Sequence, residues 1–441
     1  MHAPETDPEA ANIGAASSAA KGGNDGAPDG EPLDAVASDP VTLGWMQGAP
    51  PPADKQVRFD DGSMFSFPQL RWSYSNMPQL LPTTTVARGS DGVCALPRVE
   101  RDDLDSIRFT PLHRRDSITW AQSMLANYTD GIVVLHRGHI VYERYFGALT
   151  APQPHIAFSV TKSFFGTLAA MLVDEGRLDP DAPVAACVPE LSASGVAHAT
   201  VRQVMDMTTA LDYSEDYADP QAGVWDHGRA GGLLARPADY AGPTSFCDFL
   251  MGLRQGGPHG QAFDYKTANT DVLGWVLRRV TGQRLNDMLG TRLWAPLGCE
   301  QDGRLLVDGA GTEFAGGGLN ACLRDLARFG EMMRCGGVFN GRRIVPQAVV
   351  DDIRRGADRG HFARAGYVNL PGASYRSQWW VAHDAHGVFM ARGIHGQGIY
   401  IDPTAEMVIA RFGSHPQAAS AGNDPTTLPA YRAMALHLMA G

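Results

Sequence analysis

From Val160 onward the apolar residues Phe164, Phe165, Leu168, Met171 and Leu172 recur at spacings of three and four, which places them on one face of a helix that ends before Gly176. Such a helix must have a core to pack against, yet it also carries a lysine. Lys162 lies one turn from Ser159, within Ala-Phe-Ser-Val-Thr-Lys-Ser-Phe (157–164). Lysine is otherwise almost absent: four occur in 441 residues, at positions 21, 55, 162 and 266, and arginine carries nearly all the remaining positive charge. An ammonium among Phe158, Phe164 and Phe165 is unfavourable unless it has partners or loses its proton. Lysine can lose it, whereas arginine stays protonated.

The surrounding pattern sets the fold class. Gly131 to Phe146 reads as two strands around a turn at Arg137-Gly138, so a hairpin precedes the serine. Helical spacing recurs over Val201 to Met207, Thr270 to Val280 before Gly282, and Leu323 to Met333 before Gly336-Gly337. Strand patterns return at Gln378 to Ala382, Val388 to Arg392, Gly398 to Asp402 and Met407 to Phe412, with a last helix around Pro429 to Met439. Strands at both ends with helices between them predict an α+β (α/β sandwich) architecture, an antiparallel sheet flanked by helices plus a mostly helical region. Residues 1 to about 40, rich in Ala, Gly, Asp, Pro and Ser, are expected to be a disordered tail. Residues 41 to 100 are rich in aromatics and prolines without clear period and are expected to wrap the main body, 101 to 441, as an extended segment.

Composition excludes several classes. The formal charge is −11 with no long basic run, which argues against nucleic acid as a partner. No run approaches the roughly 20 apolar residues that cross a bilayer, and no basic stretch followed by an apolar one opens the chain, so a cytoplasmic location is expected, with no membrane partner. The six cysteines (94, 187, 247, 299, 322, 335) lack Cys-x-x-Cys spacing, and none of the 14 histidines falls in a His-Glu-x-x-His pattern; no metal and no cofactor is expected. A Gly-x-Ser-x-Gly elbow is also missing, which removes the usual α/β-hydrolase route to a serine nucleophile.

Ser159 and Lys162 suit nucleophilic catalysis. A serine hydroxyl needs a base to take its proton. Three residues apart on a helix, the two side chains meet. The serine's own N–H falls among the unpaired donors of the helix start, where a donor to an oxyanion is worth about 3 kcal/mol. The alternative for the pair is a helix-capping serine followed by a solvated lysine. About 100 residues on, Phe263-Asp-Tyr265-Lys-Thr-Ala-Asn269 offers Tyr265 as a proton relay to a leaving group, with its pKa lowered by a neighbouring ammonium; the alternative is a buried aromatic whose hydroxyl finds a carbonyl. Arg392-Gly-Ile-His395-Gly396-Gln397-Gly398 offers backbone that a ligand can approach closely, and an N–H there could complete an oxyanion hole. Histidine in such a turn is otherwise structural.

The order Ser-x-x-Lys, Tyr, His-Gly resembles the serine β-lactamase and penicillin-recognising family, particularly the class C lactamases and their esterase and carboxypeptidase relatives. Ser159-Val-Thr-Lys162 looks like its nucleophile motif, Tyr265-Lys-Thr267 its Tyr-x-Asn motif and His395-Gly396-Gln397 its Lys-Thr-Gly motif. Over about residues 100 to 440 the likeness is greatest to the branch of 6-aminohexanoate-dimer hydrolases, the nylon-oligomer amidases. It is carried by Phe-Ser-Val-Thr-Lys-Ser (158–163), Leu-Val-Asp-Glu-Gly-Arg-Leu-Asp-Pro (172–180), Leu-Asp-Tyr-Ser-Glu-Asp-Tyr217, Tyr265 to Leu273, Arg324 to Arg328, Gln378-Trp-Trp380 and Gly393 to Gln397.

The resemblance implies Ser159 as acyl-forming nucleophile, Lys162 as its activator, Tyr265 as proton relay and the N–H groups of Ser159 and Ile394 as oxyanion hole. It implies substrate contacts at Tyr217 and Trp380, and His395 stands where the family has lysine. Thr267 replaces the motif's asparagine, and Gly228 and Gly316 occupy pocket positions where active amidases can carry polar side chains. The expected function is therefore hydrolysis of a small linear amide or ester through an acyl-enzyme. The rivals are a β-lactamase or D-alanyl carboxypeptidase and a non-catalytic binding scaffold of the same fold. The expected partner is a small-molecule substrate; a homodimer is left open. Lys266, in the variable middle position of its motif, is expected to face solvent or the pocket rim.

Overall fold

A computed structural model describes residues 31–441. The two hairpin strands, Thr129–His136 and His139–Tyr145, form one edge of a seven-stranded antiparallel sheet. Its other strands come from the C-terminal part of the chain: Met407–Gly413 lies beside the first hairpin strand, followed outward by Gln397–Asp402, Phe389–Gly393, Trp379–Val381 and Ser374–Arg376. The two ends of the folded chain thus make one sheet, as the sequence pattern predicts. Burial explains the continuous apolar runs: every residue of Thr129–Leu135 and of Met407–Gly413 is buried. Helices cover both faces, among them Leu323–Arg334 and the terminal Asp424–Ala440.

The helix predicted from the Phe164 periodicity spans Val160–Asp174 and is buried on all sides through Leu172. It lies between the sheet and the helix Thr267–Thr281, which ends on a left-handed Gly282 as its sequence signal requires. Phe164 stacks on Phe329 with centroids 3.8 Å apart, and the Trp379 indole N–H donates to Thr167 Oγ1 at 3.0 Å. At Gly166 a Cβ would overlap the Ser377 carbonyl, so only glycine lets the helix and the strand turn approach this closely.

Two expectations about the N-terminal part need correction. The disordered tail lies mainly outside the described residues, but 31–40 form turns, with Ser38 fully buried. The reason is Arg71: buried at 2% exposure, its guanidinium needs acceptors and donates to Ala35 O (2.5 Å), Ser38 Oγ (3.0 Å) and Asp130 Oδ1 (3.3 Å). Residues 41–100 do not simply wrap the body in extended form. They contain short helices at Leu70–Ser73 and Met77–Leu80 and the strand Thr83–Val86, an edge of a second sheet completed by Gly303–Leu306, Leu319–Ala321 and His155–Ile156. Their aromatic and apolar residues, including Trp45, Met64, Leu70 and Tyr74, form a separate small core with Ile156 and Leu306. No helix of the described residues is long and apolar enough to cross a membrane.

Candidate active site

Ser159 immediately precedes the buried helix, after Phe158, whose φ of 43° is left-handed. A bulky residue in that region is strained, by about 1–3 kcal/mol. Lys162 Nζ lies 2.7 Å from Ser159 Oγ, 3.0 Å from Thr267 Oγ1 and 2.5 Å from the Gly316 carbonyl oxygen. Thr267 opens the second helix, so the two helix starts meet at the lysine. Burial at 1% exposure pushes the Lys162 pKa down to about 8, against the opposing pull of Glu215 and Asp271.

Hydrogen-bond counting gives these contacts a direction. Thr267 Oγ1 donates to Glu215 Oε1 at 2.7 Å, and a carboxylate only accepts, so the threonine oxygen receives its bond from the lysine. The Gly316 carbonyl also only accepts. These two acceptors take both N–H bonds of a neutral amine, leaving the nitrogen lone pair for the Ser159 hydroxyl proton. Thr267, standing where the family motif has asparagine, thus keeps contact with the lysine.

Glu215 is the residue that motif reading missed. Besides the threonine hydroxyl it accepts the Thr267 N–H at 2.5 Å and the Tyr217 hydroxyl at 2.8 Å. It lay inside the quoted stretch Leu-Asp-Tyr-Ser-Glu-Asp-Tyr217, but a carboxylate in a polar loop gives no sign of which backbone it will meet.

Tyr265 lines one cavity wall with Ser159 and carries Lys162 Nζ 5.1 Å from its ring centre. Its ring is held by stacking on Trp380 (5.5 Å, 29°) and by edge contact with Tyr375 (6.0 Å). The expected lowering of its pKa is not found. Burial, followed by the nearby Glu215, pushes the phenol well above its ordinary value, so it keeps its proton at ordinary pH.

The strand end Phe389–Gly393 brings the third element. A Cβ on Gly393 would lie 2.8 Å from the Ala157 carbonyl oxygen and 3.1 Å from Ser159 N, so a glycine there lets this strand close on the backbone around Ser159. Ile394 follows as first residue of a 3₁₀ turn, where its N–H has no carbonyl within the turn. The His395 N–H is occupied, donating to Ala418 O at 2.9 Å, whereas Ile394 lines both cavities together with Ser159. The His395 ring is buried, with Nδ1 2.6 Å from His415 O, and burial pushes its pKa down to about 4. It is therefore neutral at ordinary pH, and the family's cationic position carries no charge here.

Two cavities meet at the serine, with Ser159, Tyr217, Ile394 and Ala419 lining both. The larger, about 600 Å³, also takes in His395, Gly228 and Gly316. The smaller, about 330 Å³, holds Tyr265, Trp380, Glu215, Arg392 and Asp424. At Gly316 a Cβ would run into the Thr267 methyl, so the glycine is imposed by packing against the helix start. Its N–H donates to Asp271 Oδ1 at 2.9 Å, which in turn holds the carbonyl that faces Lys162. Lys266 is not at the rim. It is buried, donates to Leu211 O at 2.6 Å and pairs with Asp264 at 2.6 Å, because its backbone precedes the second helix with the side chain turned away from the serine.

Comparison with known proteins shows the family. The Beta-lactamase family model matches residues 122–429. The chain is 38% identical over 350 residues to the 6-aminohexanoate-dimer hydrolase of Paenarthrobacter ureafaciens, spanning 79% of this chain and 86% of that one. A Bacillus anthracis structure assigned to the 6-aminohexanoate-dimer hydrolases is 30% identical and superposes with a TM-score of 0.80, covering 89% of this chain and 99% of that chain. EstCE1, a hydrolase with promiscuous acyltransferase activity, shares the fold alone, at 16% identity and a TM-score of 0.56 over 71% of this chain and 96% of its own. The chain belongs to the β-lactamase family and is a serine hydrolase of that family.

Proposed function

We propose that the protein hydrolyses small linear amides or carboxylic esters through an acyl-enzyme on Ser159. The observation that carries the mechanism is the bonding around Lys162: two fixed acceptors hold its N–H groups and leave its lone pair for the Ser159 hydroxyl, 2.7 Å away. Neutral Lys162 takes the serine proton as Oγ attacks the substrate carbonyl. The oxygen that becomes negative is met by the N–H groups of Ser159 and Ile394. The leaving nitrogen or oxygen departs on the side of Tyr265, whose retained proton is available to it. Water then cleaves the acyl-enzyme by the reverse proton path. The names of the relatives favour linear amides, and the neutral His395 weighs against β-lactams and peptidoglycan stems, whose carboxylate would find no cation in the lysine position.

A pH profile tests this directly. Only neutral Lys162 accepts a proton, so kcat/KM for an uncharged ester should rise with pH through about 8 and level off above it. Glu215 favours the ammonium, so Glu215→Gln should move that rise to lower pH. A profile flat from about pH 6 to pH 9, or a shift upward in the variant, would contradict Lys162 as the base.

A further inference from the structure

The two cavities at Ser159 differ in chemistry, and the difference points to a substrate class. We propose, building on the acyl-enzyme reading above, that the larger cavity is the acyl subsite and that the preferred substrates are esters or amides of bulky, uncharged, apolar carboxylic acids, aromatic or medium-chain. Orientation follows from Tyr265, which lines the smaller cavity and not the larger. The leaving group departs toward the proton donor, so the acyl group lies on the opposite side.

The wall of the larger cavity has no Asp, Glu, Lys or Arg among the described residues. Half-buried Phe65, Phe158, Val224, Leu233, Leu234 and Phe314 face it. Two of its polar groups, the Tyr74 hydroxyl and His227 Nε2, are buried without a hydrogen-bond partner among the described residues and are too enclosed to meet a ligand. His395 is tied to the His415 carbonyl, and His227 lies between Tyr213 OH (3.3 Å) and Asp271 Oδ2 (3.0 Å). The Trp225 indole donates to Asp219 O at 2.7 Å. At Gly228 no side chain enters, and the nearest atoms to a Cβ there belong to Leu234. A charged acyl terminus would lose its hydration with nothing in return, whereas an apolar one displaces water from an apolar surface. The volume of about 600 Å³ falls within the range of small-molecule sites, roughly 300–1,000 Å³. Phe65 and Tyr74 come from the segment 41–100, so this part of the chain shapes the acyl pocket.

In the reaction the Ser159 Oγ–acyl carbon bond forms as the C–O or C–N bond to the leaving group breaks. The serine proton passes to Lys162, and the leaving group is protonated from Tyr265, which is left as phenolate. In deacylation the Tyr265 phenolate takes a proton from the attacking water, whose oxygen bonds to the acyl carbon as the Oγ–acyl bond breaks, and Lys162 returns its proton to Oγ, so the carboxylic acid leaves and the serine, lysine and tyrosine regain their starting forms.

The test compares kcat/KM for p-nitrophenyl acetate, hexanoate, octanoate and 6-aminohexanoate, with Ser159→Ala as blank. Octanoate should exceed acetate by at least about tenfold, and hexanoate should exceed its ammonium-bearing counterpart by a similar factor. Leu234→Asp should lower the octanoate-to-acetate ratio about tenfold or more, and Phe65→Ala, at a half-buried ring, should lower it in the same direction. Acetate matching octanoate, or 6-aminohexanoate matching hexanoate, with both dependent on Ser159, would overturn the apolar acyl subsite and leave the hydrolase reading standing. No Ser159-dependent turnover of any ester or of a linear amide would remove both.

Discussion

Ser159→Ala should lower kcat for a p-nitrophenyl ester by about four to six orders of magnitude, the scale on which removal of a serine nucleophile acts in enzymes that use one. The reason is that the other groups of the site have nothing to activate without it. Lys162 would face a methyl group, and the paired amides of Ser159 and Ile394 would polarise a carbonyl that only water could attack. Binding should suffer far less, because loss of one hydroxyl leaves every other lining residue of both cavities in place. The variant should therefore keep KM for a slow substrate, or Kd for a product acid, within about a few-fold of wild type while turnover collapses. Folding should be unaffected: Ser159 has no side-chain capping bond to its helix, and its hydroxyl partners are only the site residues. Steady-state kinetics with a binding titration measure both quantities, and loss of less than about tenfold in kcat would place the nucleophile elsewhere.

Replacement of Lys162 should be nearly as damaging, and the choice of replacement separates two roles. If the lysine only supplied positive charge to an oxyanion, arginine would retain part of the activity. As a base it must lose a proton, which arginine does not do at any workable pH. Lys162→Arg and Lys162→Ala should both therefore fall by at least about three orders of magnitude in kcat. The double variant Ser159→Ala/Lys162→Ala should be no worse than Ser159→Ala alone, because residues acting as one unit lose their function together. Arginine also needs more space than the enclosure formed by Thr267 Oγ1 and the Gly316 carbonyl allows, so thermal unfolding should accompany the kinetics of that variant. The smaller alanine removes a buried amine that is itself held below its ordinary pKa, and its fold should persist.

What could be read in the sequence was whatever depends on local period. The helix Val160–Asp174 declared itself through Phe164, Leu168 and Met171, and the C-terminal strands through runs that proved buried on both faces. Because both the serine and the lysine lie at the start of that helix, the pairing of Ser159 with Lys162 came with it. Tyr265 was legible as a residue, but its protonation was not: that depends on burial against Trp380 and on Glu215, which approaches from a loop 50 residues away in the chain. Glu215 itself was hidden for the same reason. Lys266 shows the limit from the other side, since adjacency to Tyr265 suggested the pocket while the backbone turn sends its amine to Leu211 O and Asp264. The segment 41–100 was misread because its helices are only four residues long, too short to display a period, and its strand pairs with Gly303–Leu306 more than 200 residues later. The cavity wall it contributes, from Phe65 and Tyr74, is a product of tertiary packing and has no local signature.

The central claim, a covalent acyl-enzyme on Ser159 formed with the help of Lys162, is tested most directly by mapping the adduct of a serine-reactive fluorophosphonate by peptide mass spectrometry. The account predicts a single major adduct on Ser159, formed in step with loss of esterase activity, suppressed by a competing slow substrate and slowed by orders of magnitude in Lys162→Ala. An adduct on another residue, or a Ser159 that stays unmodified while the ester is still turned over, would contradict it.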